Sequence, residues 1–237
     1  LAGVRDPAVA RVPPVKATTE LIEQSVYFVP QRNKPQLLTG LLATDVIRRA
    51  IVFTRTKHGA DRVVKHLNRT GISADSIHGN KSQNARQRSL ADFKSNRTRV
   101  LVATDLAARG IDVDGVSHVV NFDLPQEAET YVHRIGRTGR AGATGIAITF
   151  CDHEEHSMLR AVERLTRKSL AVEEKAPEGV PEDCLAPPPA QGFRGGRPEG
   201  GNQQGGGNRF QNGSGGRRKF GRPAGGSGGQ GGKPSFN

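Results

Sequence analysis

Residues 133–140 read HRIGRTGR, so Arg134, Arg137 and Arg140 recur at every third position with Gly136 and Gly139 between them. On a helix ending near Gly136 the three guanidinium groups would share one side. The glycines would end that helix and leave the backbone beneath the arginines open to close approach. Three such groups repel one another unless an anion neutralises them, and planar, permanently charged forks suit phosphate oxygens better than lysine does. Upstream, residues 104–112 read TDLAARGID. Here Thr104 lies just past an apolar run, Asp105 can anchor the loop, Gly110 permits close approach, and Asp112 can accept hydrogen bonds from a ribose. Arg109 comes from the same loop. Both aspartates can equally serve as turn and capping residues. A solvated basic face is the ordinary reading of a charge run. The embedded glycines and the position after a strand–loop unit instead favour an anion site, and the ligand they imply is a nucleotide or a nucleic-acid phosphate.

Both stretches need a scaffold that delivers loops to one edge, and the hydropathy pattern supplies one. Residues 99–103 and 118–122 are apolar and strand-like, and open α/β sheets bind ligands just beyond the carboxyl ends of their strands. Further strands are expected at 24–29, 50–54, 72–77 and 144–150, with 50–54 (AIVFT) apolar throughout, as a doubly covered strand should be. Helices are expected between them. One starts at Asn33 with Pro35 in its first turn, one spans 57–70 and stops at Gly71, and one runs from an N-cap at Ser82 to about Ser95. Another begins near Glu127, and a closing one spans 153–169 with Met158, Leu159, Val162 and Leu165 on one face. Strands alternating with helices predict an α/β fold, a three-layer parallel sheet of about six strands and five helices over residues 20–170.

Outside that span the composition changes. Residues 1–19 read as an extended linker, and residues 171–190, with Pro177, Pro181 and Pro187 to Pro189, as a Pro-rich linker. From 191 to 237 the chain has 18 glycines in 47 residues and eight Lys or Arg against one acid, Glu199. Such a segment buries too little apolar surface to offset its ordering entropy, so disorder is expected. Its phenylalanines at 193, 210, 220 and 236, set among Arg194, Arg197 and residues 217–219, suit single-stranded RNA through phosphate contacts and stacking; the alternative is a solubilising tail. The whole chain of 237 residues carries +12, and its first 190 hold 27 basic and 22 acidic side chains, so the surplus sits mainly in the tail and points to a polyanion partner.

Two cysteines, Cys151 and Cys184, cannot form a disulfide framework, which leads us to expect a cytoplasmic protein. No apolar run approaches the ~18 residues of a membrane span, and no membrane partner is expected. The chain opens on Leu1 and its one methionine is Met158, so it reads as the remainder of a longer protein. Cys151, His153 and His156 lack a fourth ligand at zinc spacing, and no metal site is expected within the chain.

Residues 103–112 (ATDLAARGID) followed by 133–140 (HRIGRTGR) resemble motifs V and VI of DEAD-box RNA helicases. IVFTRTK at 51–57 is similar to motif IV, Gln83 to Arg86 to the QxxR element after the His78-Gly79 turn, and NFDLP at 121–125 to the segment following motif V. The basic tail is similar to that of bacterial RhlE-type members. The resemblance implies the second of two RecA-like domains, of the P-loop NTPase helicase C-terminal type, acting with ATP, Mg²⁺ and RNA. It implies Gly110 and Asp112 at the ATP, Arg137 and Arg140 as arginine fingers on the γ-phosphate, and His133 and Arg134 in coupling to the partner domain. Thr54, Arg55, Gly79, Gln83, Arg86, Thr104 and Arg109 would lie on the RNA side. The chain contains neither a G-x-x-x-x-G-K-[ST] loop nor an Asp-Glu-Ala-Asp sequence. The Mg²⁺ ligands are therefore expected from an N-terminal RecA-like domain outside this chain, and the chain alone should hydrolyse almost no ATP. A stand-alone RNA-binding module and a superfamily 2 DNA helicase are the alternatives.

Overall fold

The computed structural model describes residues 21–108, 111, 113, 115–139 and 144–189, all in the first of the two units into which the chain divides after Gly195. Arg109, Gly110, Asp112 and Arg140 lie outside these residues, as do the proposed linker at 1–19 and the tail at 191–237.

Seven parallel strands, β1 (Ile22–Phe28), β2 (Ala50–Phe53), β3 (Ala74–Ile77), β4 (Val100–Ala103), β5 (His118–Asn121), β6 (Gly145–Cys151) and β7 (Ala171–Val172), form one sheet in the order β3-β4-β2-β5-β6-β1-β7. Helices α1 (Lys34–Ala43), α2 (Lys57–Arg69), α3 (Gln83–Lys94), the single turn α4 (Asp105–Ala108), α5 (Ala128–Ile135) and α6 (His156–Thr166) connect them. Strand alternation sorts the core into two faces. Val52, Val102, Val120 and Ile148 pack with α1 and α2, through Leu37, Leu38, Leu41, Val63 and Leu67. On the other face Ile51, Phe53, Leu101 and Val119 meet Phe93 of α3, while Val26 and Ala147 meet Tyr131, Ile135, Leu159 and Val162 of α5 and α6. The fold is the three-layer parallel α/β sheet that the pattern predicts.

Local chemistry sets the element ends. Ser82 accepts the Ala85 N–H and starts α3, and Gly71 takes φ +82° after α2. Thr56, a cap the sequence reading missed, accepts the Gly59 N–H and starts α2. Asp152 and Glu155 form a reciprocal capping box, which inserts a 3₁₀ turn at His153–Glu155 before α6. That turn shifts the helix phase. Helix α6 stops at Arg167, in the left-handed region at φ +54°, and Leu165 ends 36% exposed instead of facing the core.

The largest departure from expectation is in residues 171–189. They are not a spacer. Strand β7 pairs with β1, the Ala186 N–H donates to the Phe28 carbonyl at 2.7 Å, and Val180 and Cys184 are buried against α1. The segment is a strap that packs onto the domain. Its anchors are isolated apolar residues and backbone bonds, which prolines between them do not prevent.

Candidate functional site

Loops from the carboxyl ends of β2, β4 and β5 gather around α5. Arg134 of α5 is the largest fully buried side chain among the described residues. Its Nε and Nη2 donate to Asp105 Oδ1 and Oδ2 at 2.6 and 2.8 Å, and Nη1 donates to the Asp123 carbonyl at 2.6 Å and to Asn121 Oδ1 at 3.3 Å. Its guanidinium also lies over the Phe53 ring, 5.1 Å from the centroid. The expectation of Arg134 and Arg137 on one anion-facing side therefore needs correcting. Helix α5 ends at Ile135, so Arg137 is no longer in helical phase with Arg134. The Arg134 fork is used up inside the protein, by Asp105, Asp123 and Asn121.

Arg137 follows the helix and is half-buried. Its Nη1 donates to the Ile111 carbonyl at 2.7 Å and its Nε to the His133 carbonyl at 3.3 Å. With His133, Thr130, Asp105, Ala108, Phe53 and Arg134 it borders a depression of only about 30 Å³. That is one water's share of liquid volume. Among the described residues the arginine segment thus presents a shallow face, not an enclosing pocket. His133 is exposed on it. The turn is fixed by Thr138, whose hydroxyl donates to the Val116 carbonyl at 2.6 Å, and by Gly139 at φ +67°. Gly145 lies so close that a Cβ on it would sit 2.4 Å from the Gly139 nitrogen.

The sheet order β3-β4-β2 sets the loops holding Gly79, Thr104 and Thr54–Thr56 side by side along the same edge. Gly79 is exposed with open space where a Cβ would go, Gln83 is exposed at the start of α3 and accepts from Arg86 Nη1 at 3.4 Å, and Thr104 is half-buried with its N–H on the Ile77 carbonyl. Thr54 does not fit the expectation of a surface contact. It is fully buried, and its hydroxyl donates to the Thr56 carbonyl at 3.2 Å. Arg55 is exposed, but its Nη2 donates to Glu155 Oε1 at 2.5 Å and its N–H to Asp123 Oδ2 at 2.9 Å.

That last contact leads to a cluster the sequence reading missed. Lys34, fully buried at the start of α1, places Nζ 2.6 Å from Glu155, 3.4 Å from Asp152 and 3.7 Å from Asp123. Glu155 Oε1 accepts from Arg55 and from the Leu124 N–H at 3.0 Å, and Oε2 from Lys34 and from the Asp152 N–H at 3.2 Å. One carboxylate therefore ties together the loops after β1, β2, β5 and β6. Burial pushes its carboxyl above the usual range, although the Lys34 ammonium pulls it back down. The signal in the sequence was the Asp152-to-Glu155 capping-box spacing; nothing local marked Lys34.

Cys151 is buried, its thiol pushed up to about 12 chiefly by desolvation, and His156 packs edge-on against Phe28. Among the described residues no group of three or more His, Cys, Asp or Glu side chains is placed to hold a metal.

Residues 33–142 match the family model described as the helicase conserved C-terminal domain. The chain is 47% identical over 165 residues to the DEAD-box ATP-dependent RNA helicase CshA of Bacillus subtilis, a match covering 70% of this chain and 33% of that protein. The chain spans about a third of the length of the curated relatives it matches. Among solved structures, the Escherichia coli DEAD-box protein SrmB, bound to regulator of ribonuclease activity A, superposes with a TM-score of 0.63 at 37% identity, covering 66% of this chain and 95% of that one. Saccharomyces cerevisiae Dbp5 L327V bound to RNA and ADP BeF3 gives a TM-score of 0.63 at 32% identity, covering 69% and 44%. The chain belongs to the DEAD-box helicase family, and its described residues form that family's conserved C-terminal domain.

Proposed function

We propose that this chain is the C-terminal RecA-like half of an ATP-dependent RNA helicase, coupling ATP binding and hydrolysis to local unwinding of RNA duplexes. The carrying observation is the position of Arg137, held by two backbone carbonyls at the rim of a depression that, among the described residues, is far too small to enclose a triphosphate. A guanidinium so placed can meet a γ-phosphate only if a second wall carries the nucleotide up to it. That wall would be the N-terminal RecA-like domain, which would also supply the Mg²⁺ ligands. Arg140, Gly110 and Asp112 join the ATP side on the strength of the motif match. Arg109, Gly79, Gln83, Arg86 and Thr104 form the RNA side. Thr54 supports it from within, by holding the loop that carries Arg55.

Contacts to phosphate and sugar carry no sequence information, so unwinding should be largely sequence-independent. An arginine finger contributes roughly 10³–10⁵ in rate. In a full-length family protein carrying this domain, Arg137→Ala should lower RNA-stimulated ATP hydrolysis by about 10³-fold or more and leave single-stranded RNA binding intact. Turnover unchanged by that substitution would remove the finger assignment and the mechanism with it.

A further inference from the structure

We infer that a side cavity between the turn before α1 and the first turns of α2 is a second binding site, for a nucleotide bearing a phosphate, separate from the Arg137 face. Its volume is about 420 Å³. That falls within the roughly 300–1,000 Å³ of small-ligand sites. None of its lining residues borders the Arg137 depression.

The lining supplies two kinds of surface. Arg32 and Arg62 bring guanidinium groups, and neither has a hydrogen-bond or ion-pair partner among the described residues. A third guanidinium, on Arg55, is fixed at the cavity by Glu155. The one lining carboxylate, Asp123, is offset by Lys34 and accepts the Arg55 N–H, so it does not cancel Arg32 or Arg62. Thr56 and Gly59, also in the lining, belong to the capped amino end of the thirteen-residue α2, where the helix dipole adds partial positive charge. The rest of the lining sets the apolar Pro35, Val63 and Phe122 beside the Gln31 amide and the His66 ring. Guanidiniums suit phosphate oxygens, and an apolar wall beside them suits the face of a base. Neither half alone would specify a nucleotide. The cavity opens next to the Arg55–Thr56 loop, so the nucleotide can be one residue of an RNA strand passing that loop or a free mononucleotide. Only the first source rests on the RNA-helicase reading.

Nuclear magnetic resonance on the 237-residue chain tests this, with uridine and adenosine 5′-monophosphates, the two nucleosides, inorganic phosphate and a short oligouridylate as probes. The monophosphates should shift the backbone amides of Arg32, Thr56, Gly59 and Arg62 saturably. Nucleosides and inorganic phosphate should each bind there at least about tenfold more weakly, since each lacks one of the two contacts. The pair Arg32→Ala and Arg62→Ala, both at exposed positions, should weaken the monophosphates by about tenfold or more. If oligouridylate shifts the same amides, the occupant is an RNA strand; if only monophosphates do, it is a free nucleotide. Absence of a saturable shift, or shifts that persist in the double variant, overturns the site. Inorganic phosphate binding as tightly as the monophosphates overturns the nucleotide assignment. Each of these results is independent of the ATPase loss expected for Arg137→Ala, so the two readings can fail separately.

Discussion

Arg134 and Asp105, 29 positions apart, are joined by two parallel charge-assisted bonds of 2.6 and 2.8 Å that pin the turn after β4 to helix α5. The same guanidinium reaches the Asp123 carbonyl, so it braces two loops, those after β4 and β5, at the edge where the candidate site lies. Removing one partner of a buried pair usually costs about 3–5 kcal/mol. Asp105 keeps 34% of its side-chain surface exposed and can partly rehydrate, which favours the lower end of that range. Arg134→Ala should therefore destabilise the domain by about 3 kcal/mol, read from urea unfolding. Arg134→Lys should recover only part of the loss, because an ammonium cannot make the paired fork. Arg137→Ala, at a half-buried position beyond the helix, should cost about 1 kcal/mol or less. Equal losses at 134 and 137 would show that burial does not separate their roles.

The buried cluster at Lys34 contains two cations, Lys34 and Arg55, against three carboxylates, Asp123, Asp152 and Glu155. One negative charge is in excess. Because burial raises the Glu155 carboxyl, the folded chain holds that proton more tightly than the unfolded chain does. Its ionisation costs stability as pH rises through the folded value, and acidification returns that stability. Lys34→Met would leave the three carboxylates facing Arg55 alone, and should cost about 3–5 kcal/mol at pH 7. The deficit should shrink on going to about pH 5, as Glu155 takes up its proton. Glu155→Gln removes the excess charge and leaves Lys34 near Asp152 and Asp123, so it should cost only about 1–2 kcal/mol and flatten the pH response. Denaturant midpoints at the two pH values decide it: a Lys34→Met deficit that stays constant or grows at the lower pH would contradict the charge-excess account.

What the sequence disclosed follows from which interactions are local. Continuous apolar runs marked strands, and β2 is buried at all four positions because helices cover both its faces. Caps at Ser82 and Gly71 were legible because the residue type and the backbone need coincide. The arginine segment stood out, but its geometry did not: three-residue spacing implied one face, whereas the helix ends between Arg134 and Arg137. Lys34 was unreadable because its partner Glu155 lies 121 positions away and a lysine at a helix start is exposed by default. The strap failed for a related reason. Val180, Cys184 and the Ala186 N–H anchor it singly, without a period to detect, while its prolines suggest a spacer.

The fit of that strap makes the sharpest prediction about stability. A Cβ on Gly40, in α1, would lie 2.0 Å from Val180 Cγ2. In an unobstructed helix Gly→Ala gains about 1 kcal/mol. Here Gly40→Ala must push Val180 and its segment outward, and overpacking of this kind costs about 1–3 kcal/mol. The net effect should be destabilising, opposite in sign to helix propensity. Val180→Ala alone should also destabilise, by opening space beside Gly40. Together the two substitutions should be less damaging than their sum by about 1–3 kcal/mol, since the new methyl fills the volume vacated by the old one. Thermal unfolding of the four proteins gives this coupling. Amide exchange at Ala186, whose N–H bonds the Phe28 carbonyl, reports whether the strap itself has lifted in Gly40→Ala. Full protection at Ala186 together with a stabilised Gly40→Ala would mean that Val180 does not press on Gly40 as the packed arrangement requires.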